Sequence, residues 1–226
     1  MSYNLKFELH THTIHSDGSF TPRELVECAI KHGYHGIAIT DHNTDSGADE
    51  CVKWGEKLGL TVIKGIEWTT FYGHIVVLGG NSNIDWRTVN PSTVIDKIKQ
   101  AKRMGDIVGI AHPYRVGYPV CTGGRNSFPQ ELFKYIDFYE VVSGELEDPT
   151  NLRSAQEYYE LKQKGFNLTG TYGRDWHRDQ DKEGATYLAT YIRSDRPTIT
   201  AEEAIEAIKR GDLYVGDRLT GEFILR

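Results

Sequence analysis

Short runs rich in β-branched and aliphatic residues alternate along this chain with helix-patterned segments, and glycine closes most of the latter, at Gly33, Gly59, Gly105, Gly165 and Gly211. That alternation calls for parallel strands joined by crossover helices, so the chain is expected to be an α/β protein built on a parallel sheet or barrel. Strands are expected at 4–9, 36–40, 60–66, 73–78, 107–111, 137–142 and 166–171, with extended segments at 185–192 and 213–215. The first helix follows Thr21 as cap, with Pro22 at its first position and Glu24 completing a capping box. Further helices are expected at 48–58, 91–104, 151–164 and 201–210. Between 60–66 and 73–78 there is little room for a helix.

A length of 226 residues with no convincing linker points to one domain, 1–226, of the larger kind. The longest irregular stretch, 113–129, is rich in Gly, Pro and Tyr and is the candidate lid or substrate loop, with Tyr114 and Tyr118 placed to stack on a base or to cover a barrel mouth. Twenty-six Lys and Arg against 32 Asp and Glu leave a formal charge of −6 without long runs of one sign, which argues against a groove for long nucleic acid. No basic segment followed by an apolar stretch opens the chain, and no window approaches ~18 consecutive apolar residues, so a cytoplasmic protein without a membrane partner is expected. Cys28, Cys51 and Cys121 are odd in number and lack CxxC spacing, which fits a reducing compartment.

Seven of the nine histidines, His10, His12, His15, His42, His74, His112 and His177, fall in or near expected strand ends; His32 and His35 look like bystanders. Asp17, Asp41, Glu67, Glu140 and Asp175 sit at the same kind of place, and the carboxyl ends of barrel strands are where distant residues converge on one site. His10 and His12, two apart on a strand, point the same way, as two imidazoles on one metal must. Taken alone, that pair reads equally well as surface histidines.

The runs HTHTIHSDG from His10, TDH at 40–42, GIE at 65–67, GHIVVLG at 73–79, AHP at 111–113 and GRDWH at 173–177 recur in order from His10 to His177. Together they resemble the PHP (polymerase and histidinol phosphatase) family of metal-dependent phosphoesterases. The resemblance implies a distorted (β/α)7 TIM-like barrel, whereas periodicity alone also allows a doubly wound open sheet. It implies His10, His12, Glu67 and Asp175 around a first metal, Glu67 bridging to a second held by His74 and His112, and Asp17, His42 and His177 around a third. Asp17 is chosen because the phosphoesterase branch of the family often reads SDG there, whereas a branch like histidinol phosphatase uses His nearby. His15 stays open between metal ligand, support for a ligand, and substrate contact.

Mixed imidazole and carboxylate donors suit two or three divalent ions such as Mn, Zn or Fe. Asp41 reads more readily as orienting His42 or capping a turn than as a ligand; Glu140 reads equally as facing the site or as structural. Arg115 and Arg174 flank proposed ligands and match a phosphate bidentately, or else form salt bridges beside them. The family commonly carries small residues where this chain has Arg174 and Trp176, and both bulky groups are expected to narrow the pocket. The implied activity is hydrolysis of a small phosphorylated metabolite or nucleotide by a metal-bridging hydroxide, with charge stabilised by Arg115 and Arg174. The rival readings are an exonuclease on short oligonucleotides, a protein-tyrosine phosphatase, an amidohydrolase-like enzyme and a non-catalytic metal-binding module. Oligomeric state is not legible.

Overall fold

A computed structural model describes residues 2–80, 84–115, 127–179, 188–217 and 223–225. In chain order the elements are β1 (Tyr3–Thr11), α1 (Pro22–Lys31), β2 (Gly36–Ile39), α2 (Ala48–Leu58), β3 (Thr61–Thr70), β4 (Gly73–Leu78), α3 (Val94–Arg103), β5 (Ile107–Ile110), β6 (Phe138–Ser143), α4 (Pro149–Gln163), β7 (Thr169–Gly173), β8 (Leu188–Ser194), α5 (Ala201–Arg210), β9 (Leu213–Asp217) and β10 (Phe223–Leu225). β1, β2 and β3 run parallel, as do β5, β6 and β7. β4 is antiparallel to both β3 and β5, which is where the seven-stranded barrel is distorted. The cause is the short Thr70–Gly73 turn, too brief for a crossover helix.

The local signals act as their chemistry requires. Thr21 and Glu24 form the reciprocal capping box of α1, and Gly59 and Gly211 end α2 and α5 at φ 80° and 72°, in the left-handed region that favours glycine. α3 starts at Val94 rather than at 91, because the Asn90 side chain accepts from the Ser92 backbone at 2.9 Å and holds 90–93 as a turn. α4 starts at Pro149 behind an Asp148 cap, two residues earlier than expected. At the opposite end of the strands from the histidines, Ala204, Ala207 and Ile208 of α5 pack with Leu5, Ile63, Leu78 and Ile107. The loop expected at 113–129 falls largely outside the described residues, and Tyr118 and Cys121 with it.

The barrel closes through a fork on β1. Its first half pairs with β8, from Tyr3↔Ser194 to Phe7↔Thr190, and its far end bridges to the extension of β7 at Thr11↔Trp176. Every second backbone group along β7 therefore needs a different partner. Tyr172 N–H donates to Thr190 Oγ1 at 3.0 Å, Arg174 N–H to Glu8 Oε1 at 2.8 Å, and Trp176 N–H to the His10 carbonyl at 3.0 Å. Glu8 Oε1 also accepts from His10 N–H at 3.1 Å, so one buried carboxyl fills the gap where neither β7 nor β8 reaches β1.

Glu8→Ala should therefore cost about 2–4 kcal/mol, since it leaves two buried N–H groups unpartnered. Burial pushes the Glu8 carboxyl up to about 7, above its ordinary 4.5. A raised folded-state value adds stability that is complete below 4.5 and is lost as pH rises through about 7. Urea denaturation should show wild type losing ground against Glu8→Gln between pH 5 and 7.5; a constant or opposite difference would contradict the buried seam.

Candidate metal centre

The parallel strands end on one rim, and the reversed β4 begins there, which is how His74, its second residue, joins side chains from strand ends. His10, His12, Glu67 and Glu140 are buried on the floor, while Asp17, His42 and His177 stand nearer the opening.

Glu67 is wholly buried, and five imidazoles surround it. Oε1 lies 2.8 Å from His74 Nδ1 and 3.0 Å from His112 Nε2. Oε2 lies 2.8 Å from His42 Nδ1, 3.2 Å from His10 Nε2 and 3.6 Å from His12 Nε2. Asp175 Oδ1 closes the floor at 3.0 Å from His12 Nε2 and 3.5 Å from His10 Nε2. Burial is the largest influence on both carboxyls and opposes their charge. Even so, His10 and His74 hold Glu67, and His10 and His12 hold Asp175, well below the ordinary range. The reverse holds for His10, where burial is outweighed by Glu140, Glu67 and Asp175 and the imidazole sits well above its ordinary value.

Sequence left Glu140 open between two roles; in the structure it sits beside the cluster and orients it. Its Oε1 is 2.7 Å from His10 Nδ1 and its Oε2 accepts from His112 N–H at 2.8 Å. That contact fixes the His10 proton on Nδ1 and turns Nε2 inward. Gly173 makes room for it, because a Cβ there would lie 2.2 Å from Glu140 Oε1. His112 and Asp175 hold φ of 23° and 55°, a backbone region that non-glycine residues avoid and that the surrounding packing must enforce.

These residues fit metal ions. His10 Nε2 and His74 Nε2 are buried without a hydrogen-bond partner, and Glu67 Oε2, 2.8 Å from His42 Nδ1 and 3.2 Å from His10 Nε2, makes a well-aligned hydrogen bond with neither. Cations answer such unpartnered donor atoms directly. Three overlapping sets have donor atoms within 4.8 Å of one another: His10, His12, Glu67 and Asp175; His42, Glu67 and His74; and His12, Asp17, His42 and His177.

A family model described as PHP domain matches residues 8–194. The chain belongs to the PHP domain family. It is 32% identical over 176 residues to an uncharacterized protein of Methanocaldococcus jannaschii, covering 72% of this chain and 96% of that one. Shorter matches join it to a 5′-3′ exoribonuclease of Haemophilus influenzae, 38% identical over 29% of this chain and 24% of that protein. A 3′,5′-nucleoside bisphosphate phosphatase of Chromobacterium violaceum is 33% identical over 32% of this chain and 27% of that protein. Among solved structures, a two-domain protein of Bacteroides vulgatus containing a predicted PHP-like metal-dependent phosphoesterase superposes with a TM-score of 0.69 at 20% identity, over 96% of this chain and 65% of that chain.

Not every residue singled out in the sequence joins the PHP cluster. Asp41 binds Thr13 N–H and Oγ1 and Ser16 Oγ at 2.6–2.7 Å, so it braces the loop that carries Asp17. His15 turns to Ser46, with Nδ1 2.8 Å from its hydroxyl. Arg115 reaches the edge of the cluster, its Nη1 donating to Asp175 Oδ2 at 3.1 Å. Arg174 stands elsewhere, its guanidinium 4.4 Å above the Trp176 ring. Trp176 is itself buried against Phe20 and Tyr34, so neither bulky group narrows the pocket as expected. Tyr114 lies beneath Arg153 of α4. Sequence reasoning passed over Glu8, which looks like one more alternating residue of a strand.

Burial and nearby carboxylates act oppositely on His42, His112 and His177, and the carboxylates prevail and raise all three, as they raise His10. Their charged partners stabilise the ion-free protein fully below pH 6.5 and progressively less as pH rises through the elevated values. The melting temperature of chelator-treated protein should therefore fall above pH 6.5 while the Mn-loaded protein holds. The gap should approach about 10 °C when the ion is ~1,000-fold above its dissociation constant. A gap that vanishes at high pH would contradict ion binding by these donors.

Proposed function

We propose that the chain hydrolyses phosphate esters of a small metabolite or nucleotide at this rim, with two or three divalent ions held by His10, His12, Asp17, His42, Glu67, His74, His112, Asp175 and His177. The observation that carries the reading is Glu67, a buried carboxylate shared by five imidazoles, with Asp175 beside it tied to a guanidinium. Divalent ions in these donor sets supply Lewis acidity, acidifying a water and holding phosphate oxygens. The chain's own residues do the rest. Glu140 fixes the His10 tautomer, Asp41 holds the loop bearing Asp17 in place, and Arg115 steadies Asp175 while bringing positive charge to the cluster edge.

A formal charge of −6 without a basic stripe favours a small substrate over a long polymer. The name of one partial relative, a nucleoside bisphosphate phosphatase, supports a phosphorylated nucleotide as the substrate class, while that of another, an exoribonuclease, is what the rival reading on short oligonucleotides would need.

The test is product analysis with Mn-loaded protein given a nucleotide bearing 5′ and 3′ phosphates, a sugar phosphate and a short single-stranded oligonucleotide, each with a chelator control. Chelator-sensitive free phosphate is expected. Nucleotide release from the oligonucleotide alone would replace this reading by an exonuclease, and no turnover would overturn it. Glu67→Gln, chosen because alanine would leave a cavity among buried imidazoles, should abolish turnover with the fold retained. Arg115→Ala should lower kcat/KM by ~10²-fold, with partial recovery in Arg115→Lys.

A further inference from the structure

A second group of metal-type donors lies at the C-terminal end of α1. Cys28 and His32 are four residues apart at the end of that helix and so share one face. Asp179, two residues past His177, meets them there. His32 Nε2 is 3.2 Å from Asp179 Oδ1, and the sulfur, imidazole and carboxylate donors all lie within 4.8 Å of one another. Lys31 Nζ lies 3.4 Å from the other carboxylate oxygen, Oδ2, which leaves Oδ1 toward the imidazole. The helix end is fixed by His32 N–H donating to the Cys28 carbonyl at 3.0 Å and by Lys6 Nζ donating to the His32 carbonyl at 3.0 Å. Cys28 is buried, His32 half-buried and Asp179 exposed, so the group has a closed wall and an open side.

We infer that Cys28, His32 and Asp179 form a separate binding site for a single zinc-class ion, with three protein ligands and a fourth position open to water. The donor chemistry distinguishes it from the catalytic cluster, whose donors are nitrogen and oxygen only; a thiolate beside an imidazole selects zinc, cobalt or cadmium over manganese or magnesium. Binding transfers the thiol proton to solvent and forms a metal–sulfur bond, with no change of oxidation state. A reactive thiol is the competing role for Cys28, and burial, followed by the Asp179 charge, pushes it up to about 12, far from a nucleophile. The site's consequence is mechanical. Asp175, Trp176 and His177 lie two to four residues before Asp179, so an ion here would staple the β7 extension carrying two catalytic donors to α1. His32 meets the buried Trp176 ring edge-on, with centroids 5.7 Å apart, so Trp176 lies beside the site.

The experiment is cobalt titration of the full chain after the catalytic cluster has been filled with Mn. A sulfur-to-cobalt charge-transfer band in the near ultraviolet, saturating at one equivalent, is expected. It should be absent in Cys28→Ser, at least halved at one equivalent in Asp179→Asn, and unchanged in Cys51→Ser and Cys121→Ser. Circular dichroism of each variant separates loss of the band from loss of the fold. A band that persists in Cys28→Ser, or no band in folded wild type, overturns the site. Because the signal requires sulfur, it reads independently of whether the nitrogen and oxygen cluster hydrolyses phosphate esters.

Discussion

A single carboxylate with no access to water, Glu67, sits among five imidazoles that arrive on four different parts of the chain, and the architecture of the rim follows from keeping that arrangement intact. Burying a charge is expensive unless it is paired, and here the pairing comes from strand ends that are far apart in sequence. Without ions, protons on the imidazoles take the balancing role, and they are lost as the solution becomes alkaline. Divalent ions would balance the charge without that loss, so in the proposed reading ion binding, stability and catalysis are aspects of one electrostatic problem.

The distortions of the barrel serve this centre. Reversing β4 brings His74 to the rim from the start of a strand, where a parallel strand would have left it at the opposite end. The fork on β1 lets β7 swing across to His10 and His12, and it leaves a gap that Glu8 fills with one oxygen shared between two strands. A carboxylate likewise fixes His10 from behind, through Glu140, in a space that exists because residue 173 lacks a Cβ. The left-handed backbone at His112 and Asp175 belongs to the same economy of space: both side chains turn inward immediately after their strands end.

Much of this was legible from residue order. The capping box at Thr21 and Glu24 and the glycines after α2 and α5 act within a few residues of themselves, so the chain states them locally. His10, His12 and the later motifs were readable because strand ends converge in a barrel. What sequence did not reveal depends on long-range geometry. Glu8 occupies an alternating position in a strand, and one of the N–H groups it accepts from belongs to Arg174, 166 residues away. Arg174 and Trp176 flank Asp175 in sequence, but past the end of β7 Asp175 takes a left-handed backbone, φ 55°, and its two neighbours stack on each other away from the cluster, so proximity in the chain misled about proximity to the pocket. Cys28 and His32 meet Asp179 only after the β7 extension has been wrapped onto α1.

The central claim is that Glu67 is shared between metal ions, and anomalous diffraction from crystals of the Mn-loaded protein tests it most directly. The account predicts separate manganese peaks within coordination distance of Glu67 Oε1 and of Glu67 Oε2, the latter also touching His10. Peaks confined to the outer residues Asp17 and His177, with none against Glu67, would contradict it.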